Sequence, residues 1–190
     1  MSKLQVYSLP NLRYYTGDFV LRRKCRDVEA EDIRSDWFQS LVFDMFETLY
    51  ADSSGVGLAA PQVGMSLRLA VIDIKKDAKN PLVLINPTYE AISTEKVESN
   101  ESCLSVPLRA GTVMRYKSVR VRALDFNGKP IELVGEKFLA NVFQHEIDHL
   151  DGILYIDRME SLDKLTVHDG YANSMASKAV RMFDDGKAER

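Results

Sequence analysis

The segment Gln144 to Gly152 (QHEIDHLDG) holds an HExxH pattern inside an otherwise apolar stretch. Residues four apart on an α-helix share a face, so His145 and His149 aim two imidazoles at one point, with Glu146 beside them. Counting back at helical spacing, Val142 and Phe138 fall on the same stripe, and Leu139, Phe143, Ile147 and Leu150 are apolar as well. The pattern predicts a helix buried on most sides. Such a helix is demanding, because Glu146, Asp148 and both imidazoles are each unfavourable when buried without partners. A metal ion backed by ordered hydrogen-bonding groups supplies those partners. The competing reading is a chance HExxH on a solvated helix, and the apolar flanks argue against it.

A catalytic metal centre uses three protein ligands and leaves one position for water. The metzincin spacing HExxHxxGxxH keeps Gly152 here but places Tyr155 where the last histidine belongs, which excludes that class. Downstream carboxylates at Glu160, Asp163 and Asp169 lie in a polar segment with no periodic helix to fix them, and His168 falls in a stretch that reads as a loop. With only 2 cysteines in 190 residues there is no disulfide framework, and both read as thiols. Cys25 sits among Arg22, Arg23, Lys24 and Arg26, cations that favour a thiolate, with no partner in view. Cys103 lies upstream of the helix in ESCLSVP, a short apolar stretch stopped by proline. A thiolate with two imidazoles gives a Cys/His/His set with an open fourth position, suited to Zn2+ or Fe2+.

Gly55 to Gly64 (GVGLAAPQVG), Glu101 to Pro107 and Gln144 to Gly152 together resemble, in order and spacing, the signature motifs of peptide deformylases, GxGLAAxQ, EGCLS and HExDH. Each motif alone is weak, whereas the set is specific. The similarity runs from about Val20 to Asp157. The resemblance implies that Cys103, His145 and His149 bind one divalent ion per chain, Fe2+ foremost, with Zn2+, Ni2+ or Co2+ as alternatives. It further implies that Glu146 is the general acid/base and that Gln62, with the backbone N–H of Leu104, stabilises the oxyanion. Val56 and Gly57 would lie along the substrate backbone. Phe138 and Val142 would shape an apolar pocket for an unbranched side chain such as methionine. The reaction implied is removal of the N-formyl group from the formyl-methionine of newly made proteins, with release of formate. One position departs from the motif, since Ser102 stands where the family carries glycine. Glycine serves where backbone approaches closely or takes positive φ, so the substrate contact at Ser102 is left open.

Composition sets outer bounds. A chain of 190 residues that is 45% hydrophobic suffices for one domain with a full core, expected over about 15–160 with an extension over 161–190. A net charge of -3 gives no field for nucleic acid. No apolar run reaches membrane-spanning length, and Met1 to Asn11 lacks the apolar core of a signal peptide. A bacterial-type cytoplasmic location is expected, with an organellar origin as the alternative. The partners implied are formyl-methionyl nascent chains, with the ribosome as an optional one, and the assembly a monomer or weak dimer.

Ile33, Trp37, Leu41, Met45 and Leu49, flanked by Phe38, Val42 and Phe46, predict one long amphipathic helix. The glycine-rich motif reads as a loop. Leu67 to Ile74 and Leu82 to Ile85 read as strands, the second bracketed by Pro81 and Pro87. Val119, Val121 and Ala123 alternate with Arg120 and Arg122, and Asn127-Gly128 then gives a type I′ hairpin signal before Pro130 to Val134. The expected fold is α+β, with antiparallel β-sheets packed around a central buried HExxH helix, an N-terminal amphipathic helix and a C-terminal helix over Ser174 to Phe183. On that last helix Lys178 and Arg181, with Lys187 and Arg190 beyond it, are nearly offset by Asp184, Asp185 and Glu189, which weakens the case for a basic ribosome contact.

Overall fold

The computed structural model describes residues 3–6, 20–52, 54–76 and 78–167. Ser35 divides the first apolar stripe. Its hydroxyl oxygen accepts a hydrogen bond from the Phe38 backbone N–H and caps a helix that starts at Asp36. A short α1 (Ala30–Ile33) therefore precedes α2 (Asp36–Ala51), where periodicity predicts one unbroken helix. Phe38, Leu41, Val42, Met45 and Leu49 are buried along α2, while Trp37, at the edge of the stripe, is 43% exposed.

After α2 the chain forms β1 (Gly57–Ala59), a 3-10 turn (Ala60–Val63), β2 (Leu69–Ile72), β3 (Leu82–Ala91), β4 (Lys96–Cys103) and β5 (Val106–Tyr116). It continues through β6 (Ser118–Leu124), β7 (Pro130–Glu136), α3 (Phe138–Leu150) and β8 (Thr166–Val167). The strands pair antiparallel in two sheets, ordered β1-β2-β3-β6-β7 and β4-β5-β8. The mixed α and β content with antiparallel sheets matches the expected class.

Strand β2 reads LAVI without polar alternation because both its faces are covered. Leu69 and Val71 join Phe38, Met45 and Leu49 of α2 in one core, whereas Ile72 joins Val142, Phe143 and Ile147 of α3 in another. Strand β6 shows the opposite pattern. Its Val119 and Val121 are buried, and Arg120 and Arg122 lie outside in ion pairs with Glu90 and Glu132.

Three expectations need correction. Pro87 does not end β3, because a register shift between Ile85 and Thr88 absorbs it. At that bulge Asn86 takes φ 52°, and its side-chain amide bonds both backbone groups of Val28, at 2.8 and 2.9 Å. The hairpin turn is not type I′: Gly128 has φ 76° but Asn127 is not left-handed, and the Gly128 N–H donates to Asp125 O at 2.9 Å. This is a type I turn closed by a left-handed glycine, held by the Asp125 carboxylate, which accepts from the N–H groups of Asn127 and Lys129. The glycine-rich motif is ordered as β1 and its following 3-10 turn, and Thr166–Val167, read as a loop, pairs with Arg109 and Ala110 of β5. The helix expected over Ser174 to Phe183 lies outside the described residues.

Two anchors fix α3. The buried Gln144 side chain acts as a backbone substitute, donating to Tyr116 O and accepting from Tyr116 N at 2.9 and 3.0 Å, which ties the helix to the end of β5. At the other end Arg68 donates to the Asp151 carboxylate at 2.6 Å and to Pro87 O at 2.9 Å. Helix α3 thereby contacts β1, β3 and β7 of one sheet and β5 of the other. No helix among the described residues is long and apolar enough to cross a membrane.

The loop after β2 is held by Asp73, 3% exposed, whose carboxylate accepts from Tyr50 OH and from the N–H groups of Lys76 and Ala78 at 2.8 to 3.0 Å. Burial would raise its pKa, but these donors outweigh burial and hold it below the usual value. A depressed folded pKa stabilises the fold above the unfolded value and is lost as pH falls through the folded one. Asp73→Asn is therefore expected to lose about 1–3 kcal/mol at pH 7, with the gap to the parent closing below about pH 4. Urea titrations of both proteins at pH 7 and pH 3 check this, and a pH-independent gap would contradict it.

Candidate metal centre

Helix α3 presents Phe138, Asn141, Val142, His145 and Glu146 to a cavity of about 210 Å³. The other walls come from Val56, Gly57 and Gln62 on one side and from the end of β4, including Ser102, Cys103 and Leu104, on the other. Strand β4 delivers the thiol through a break in its ladder. Ser102 pairs with Ala110, whereas Cys103 pairs with Val106. The irregularity turns Cys103 towards α3, and its Sγ lies 3.3 Å from His149 Nε2. One atom each from Cys103, His145 and His149 converge within 4.8 Å of one another.

The His145 ring is oriented from behind. Its Nδ1 meets Glu101 Oε2 at 2.9 Å, which leaves Nε2 for the cluster. Glu101 in turn accepts a bidentate pair from Arg115 at 2.8 Å. Arg115, 1% exposed, also reaches Asp148 of α3 at 2.5 Å, and Arg158 closes on the same Asp148 with two contacts of 2.5 Å. Burial would raise the Glu101 pKa, but the hydrogen bonds from Arg115 and His145 prevail and hold it at about 2. Burial likewise opposes a charged His145, yet its contacts with Cys103 and Glu101 raise its pKa well above the usual value. His149 moves the other way, lowered by burial and by the neighbouring His145 charge.

Glu146 is the unpaired acid of the site. It is 4% exposed and its Oε2 is buried with no partner among the described residues. Burial, opposed by His145 and reinforced by Glu101, pushes its pKa up to about 7. Gly57 makes room for it: a Cβ at that position would stand 2.4 Å from Glu146 Oε1, so only glycine allows β1 to pass this closely.

Gln62, 2% exposed on the 3-10 turn, has its amide polarity fixed by the fold. Its Oε1 accepts from Ala59 N at 2.9 Å, so Nε2 points inward, 3.2 Å from Ser105 Oγ and 3.5 Å from Cys103 Sγ. Ser102 is half-buried in extended β4, so its Cβ is accommodated without positive φ. Phe138 lines the cavity at its rim, 56% exposed, while Val142 is buried. The pocket beside Glu146 is not wholly apolar, since Asn141 and Ser99 also line it.

The alternative donors fall away. Glu160 and Asp163 are exposed, Glu160 pairing with Lys164, and neither joins the cluster. His168 and Asp169 lie outside the described residues. Cys25 is 4% exposed, and burial raises its thiol pKa although Ser66 and Arg68 pull it down, so the expected thiolate is not favoured. Arg115 and Arg158 carry no motif and escape sequence reading. The usable signal was Asp148, a carboxylate in a buried helix that demanded a cation.

One thiol and two imidazoles around a point, with a free carboxylate beside them, form the donor set of a mononuclear metallohydrolase. Comparison with known proteins makes this more specific. The family model described as Polypeptide deformylase matches residues 12–165. The Peptide deformylase of Lachnoclostridium phytofermentans is 44% identical over 155 residues, covering 80% of this chain and 91% of that protein. Peptide deformylase 2 of Vibrio parahaemolyticus is 40% identical over the full length of both chains. A crystal structure of a peptide deformylase from Legionella pneumophila superposes with a TM-score of 0.76 at 39% identity, covering 100% of this chain and 99% of that one. A second, from Synechococcus elongatus in complex with actinonin, gives 0.74 at 38% identity, covering 86% of this chain and 82% of that one. The chain belongs to the polypeptide deformylase family, hydrolases that remove N-formyl groups.

The buried ion-pair array and the exposed one on β6 should respond differently to loss of a charge. Glu101→Gln is expected to lower unfolding free energy by about 3 kcal/mol, because it weakens the pairing of a buried guanidinium. Arg122→Gln, on the open sheet face, is expected to change it by less than about 1 kcal/mol. Urea denaturation of the metal-free proteins separates the two, and equal effects would show that the buried array does not hold β4 to β5.

Proposed function

We propose that this chain is a metal-dependent deformylase that removes the N-formyl group from the formyl-methionine of newly made proteins and releases formate. The convergence of Cys103, His145 and His149 beside the unpartnered Glu146 carboxylate carries this reading. Cys103 Sγ and the Nε2 atoms of the histidines would hold one divalent ion per chain. The thiolate favours Fe2+, with Zn2+, Ni2+ or Co2+ able to occupy the same donors. When bound, such an ion acts as a Lewis acid and lowers the pKa of a coordinated water from ~15.7 toward ~7.

The side chains divide the remaining work. Glu146, its pKa raised to about 7, takes the proton of the attacking water and returns it to the leaving amine. Gln62 Nε2, locked inward by the Ala59 contact, and the backbone N–H of Leu104 donate to the oxyanion as charge develops. Strands β1 and β4 are both sheet edges, so their backbones are available to an extended peptide laid between them along Val56 and Gly57. Phe138 and Val142 contact the first side chain of that peptide. We further read residues 15–160 as one catalytic domain organised about α3, with 161–190 as an extension. The location is taken as cytoplasmic, the substrate as a nascent chain, the ribosome as an optional partner, and the assembly as a monomer or weak dimer.

Formate release from formyl-Met and acetyl-Met peptides, assayed with anaerobically purified protein, tests the function. The close approach of β1 to Glu146 leaves room for the hydrogen of a formyl group and little for a methyl, so formyl-Met turnover should exceed that of acetyl-Met by orders of magnitude. Comparable kcat/KM for the two would point to a general amidase. Separately, Glu146→Gln is expected to retain about one metal per chain by elemental analysis while losing most activity, on the scale of 100-fold or more, about what general acid–base catalysis supplies. Loss of the metal in this variant would instead make Glu146 a ligand.

A further inference from the structure

Asn141 departs from the chemistry of its own helix face. It stands one turn before His145, on the stripe that Phe138 and Val142 share, and it lines the cavity. Its backbone N–H is used within the helix, donating to Lys137 O at 3.1 Å. The side-chain Oδ1 is buried and has no hydrogen-bond partner among the described residues. Buried acceptors are nearly always satisfied in folded proteins, by protein groups, water or a ligand. Methionine cannot satisfy this one, since a thioether carries no donor. Opposite the helix, β4 adds Ser99, a buried polar residue, to the same cavity.

We propose that Asn141 is a specificity-determining residue, and that the side-chain pocket takes unbranched residues of methionine's length ending in a hydrogen-bond donor, glutamine being the nearest natural match. The proposal rests on the deformylase reading and refines its substrate class. Glutamine has an amide where methionine has its sulfur and terminal methyl. Its NH2 group donates to Asn141 Oδ1, and the lining of Phe138 and Val142 still receives its methylene stem. An apolar analogue of the same length, norleucine, leaves the acceptor uncomplemented, and a site built around a hydrogen bond discriminates against ligands that lack it.

The test compares kcat/KM for formyl-Gln-Ala-Ser and formyl-norleucyl-Ala-Ser, by formate release, in the parent protein and in Asn141→Leu. The expected result is a glutamine-to-norleucine ratio that falls at least about tenfold in the variant, the scale of one buried hydrogen bond. Asn141→Ala, a simple truncation, should lower the ratio in the same direction and carries the comparison if the leucine variant does not fold. A ratio within about twofold of the parent in either folded variant overturns the assignment and leaves the amide to solvent. Absence of formate from every formylated peptide with the parent protein removes the deformylase reading itself, and the pocket assignment with it. Turnover of formyl-norleucine without a ratio change removes only the latter.

Discussion

A single buried guanidinium sets the spacing on which the site depends. Arg115 projects from β5 and is held by Glu101 of β4 and Asp148 of α3, so one cation fixes a strand pair and a helix at hydrogen-bond distances. Any other separation of these elements would leave a charge in the interior without its partner, which is far more unfavourable than the pairing is favourable. The array therefore acts less as a source of stability than as a gauge. Glu101 transmits its measure directly, because the carboxylate that grips Arg115 also orients His145.

The same array explains how two buried glutamates in one site come to behave as opposites. Glu101 has two strong donors and stays ionised far below neutrality, whereas Glu146 has burial without a matching donor and titrates near it. One is a fixed charge that positions a ring, and the other is free to exchange a proton. Environments that separate two like groups in this way are how a site assigns a structural and a chemical role to the same residue type.

What could be read from the chain follows from which signals are local. The HExxH helix was legible because its period, its apolar flanks and its trapped carboxylates all point the same way over a few turns. The α2 stripe was legible as a helix, but the Ser35 cap that starts it at Asp36 is a one-residue signal that periodicity alone overrides. Strands β4 and β5 were missed for a different reason: KVESNESC has no alternation, because polar residues of β4 line a cavity instead of facing solvent. Pro87 misled because its missing donor is compensated by Asn86 and Val28, residues far apart in sequence. The donors Cys103, His145 and His149 were brought together as expected, yet Asn141 escaped notice, since one polar residue on an apolar stripe reads as noise until its acceptor is seen without a partner.

The cavity draws its walls from β1, from the end of β4 and from α3, so no continuous stretch of the chain contains enough of it to function alone. Such contacts span long sequence separations, and each requires loop closure before it contributes anything. During vectorial synthesis, the glycine-rich segment and the cysteine strand emerge well before the histidines. An early, freely reachable thiol is thus available to stray metals and oxidants until α3 docks against β5 through Gln144 and covers it. The order of emergence makes the helix a closing step in maturation, and the speed with which it packs decides how long that vulnerable interval lasts.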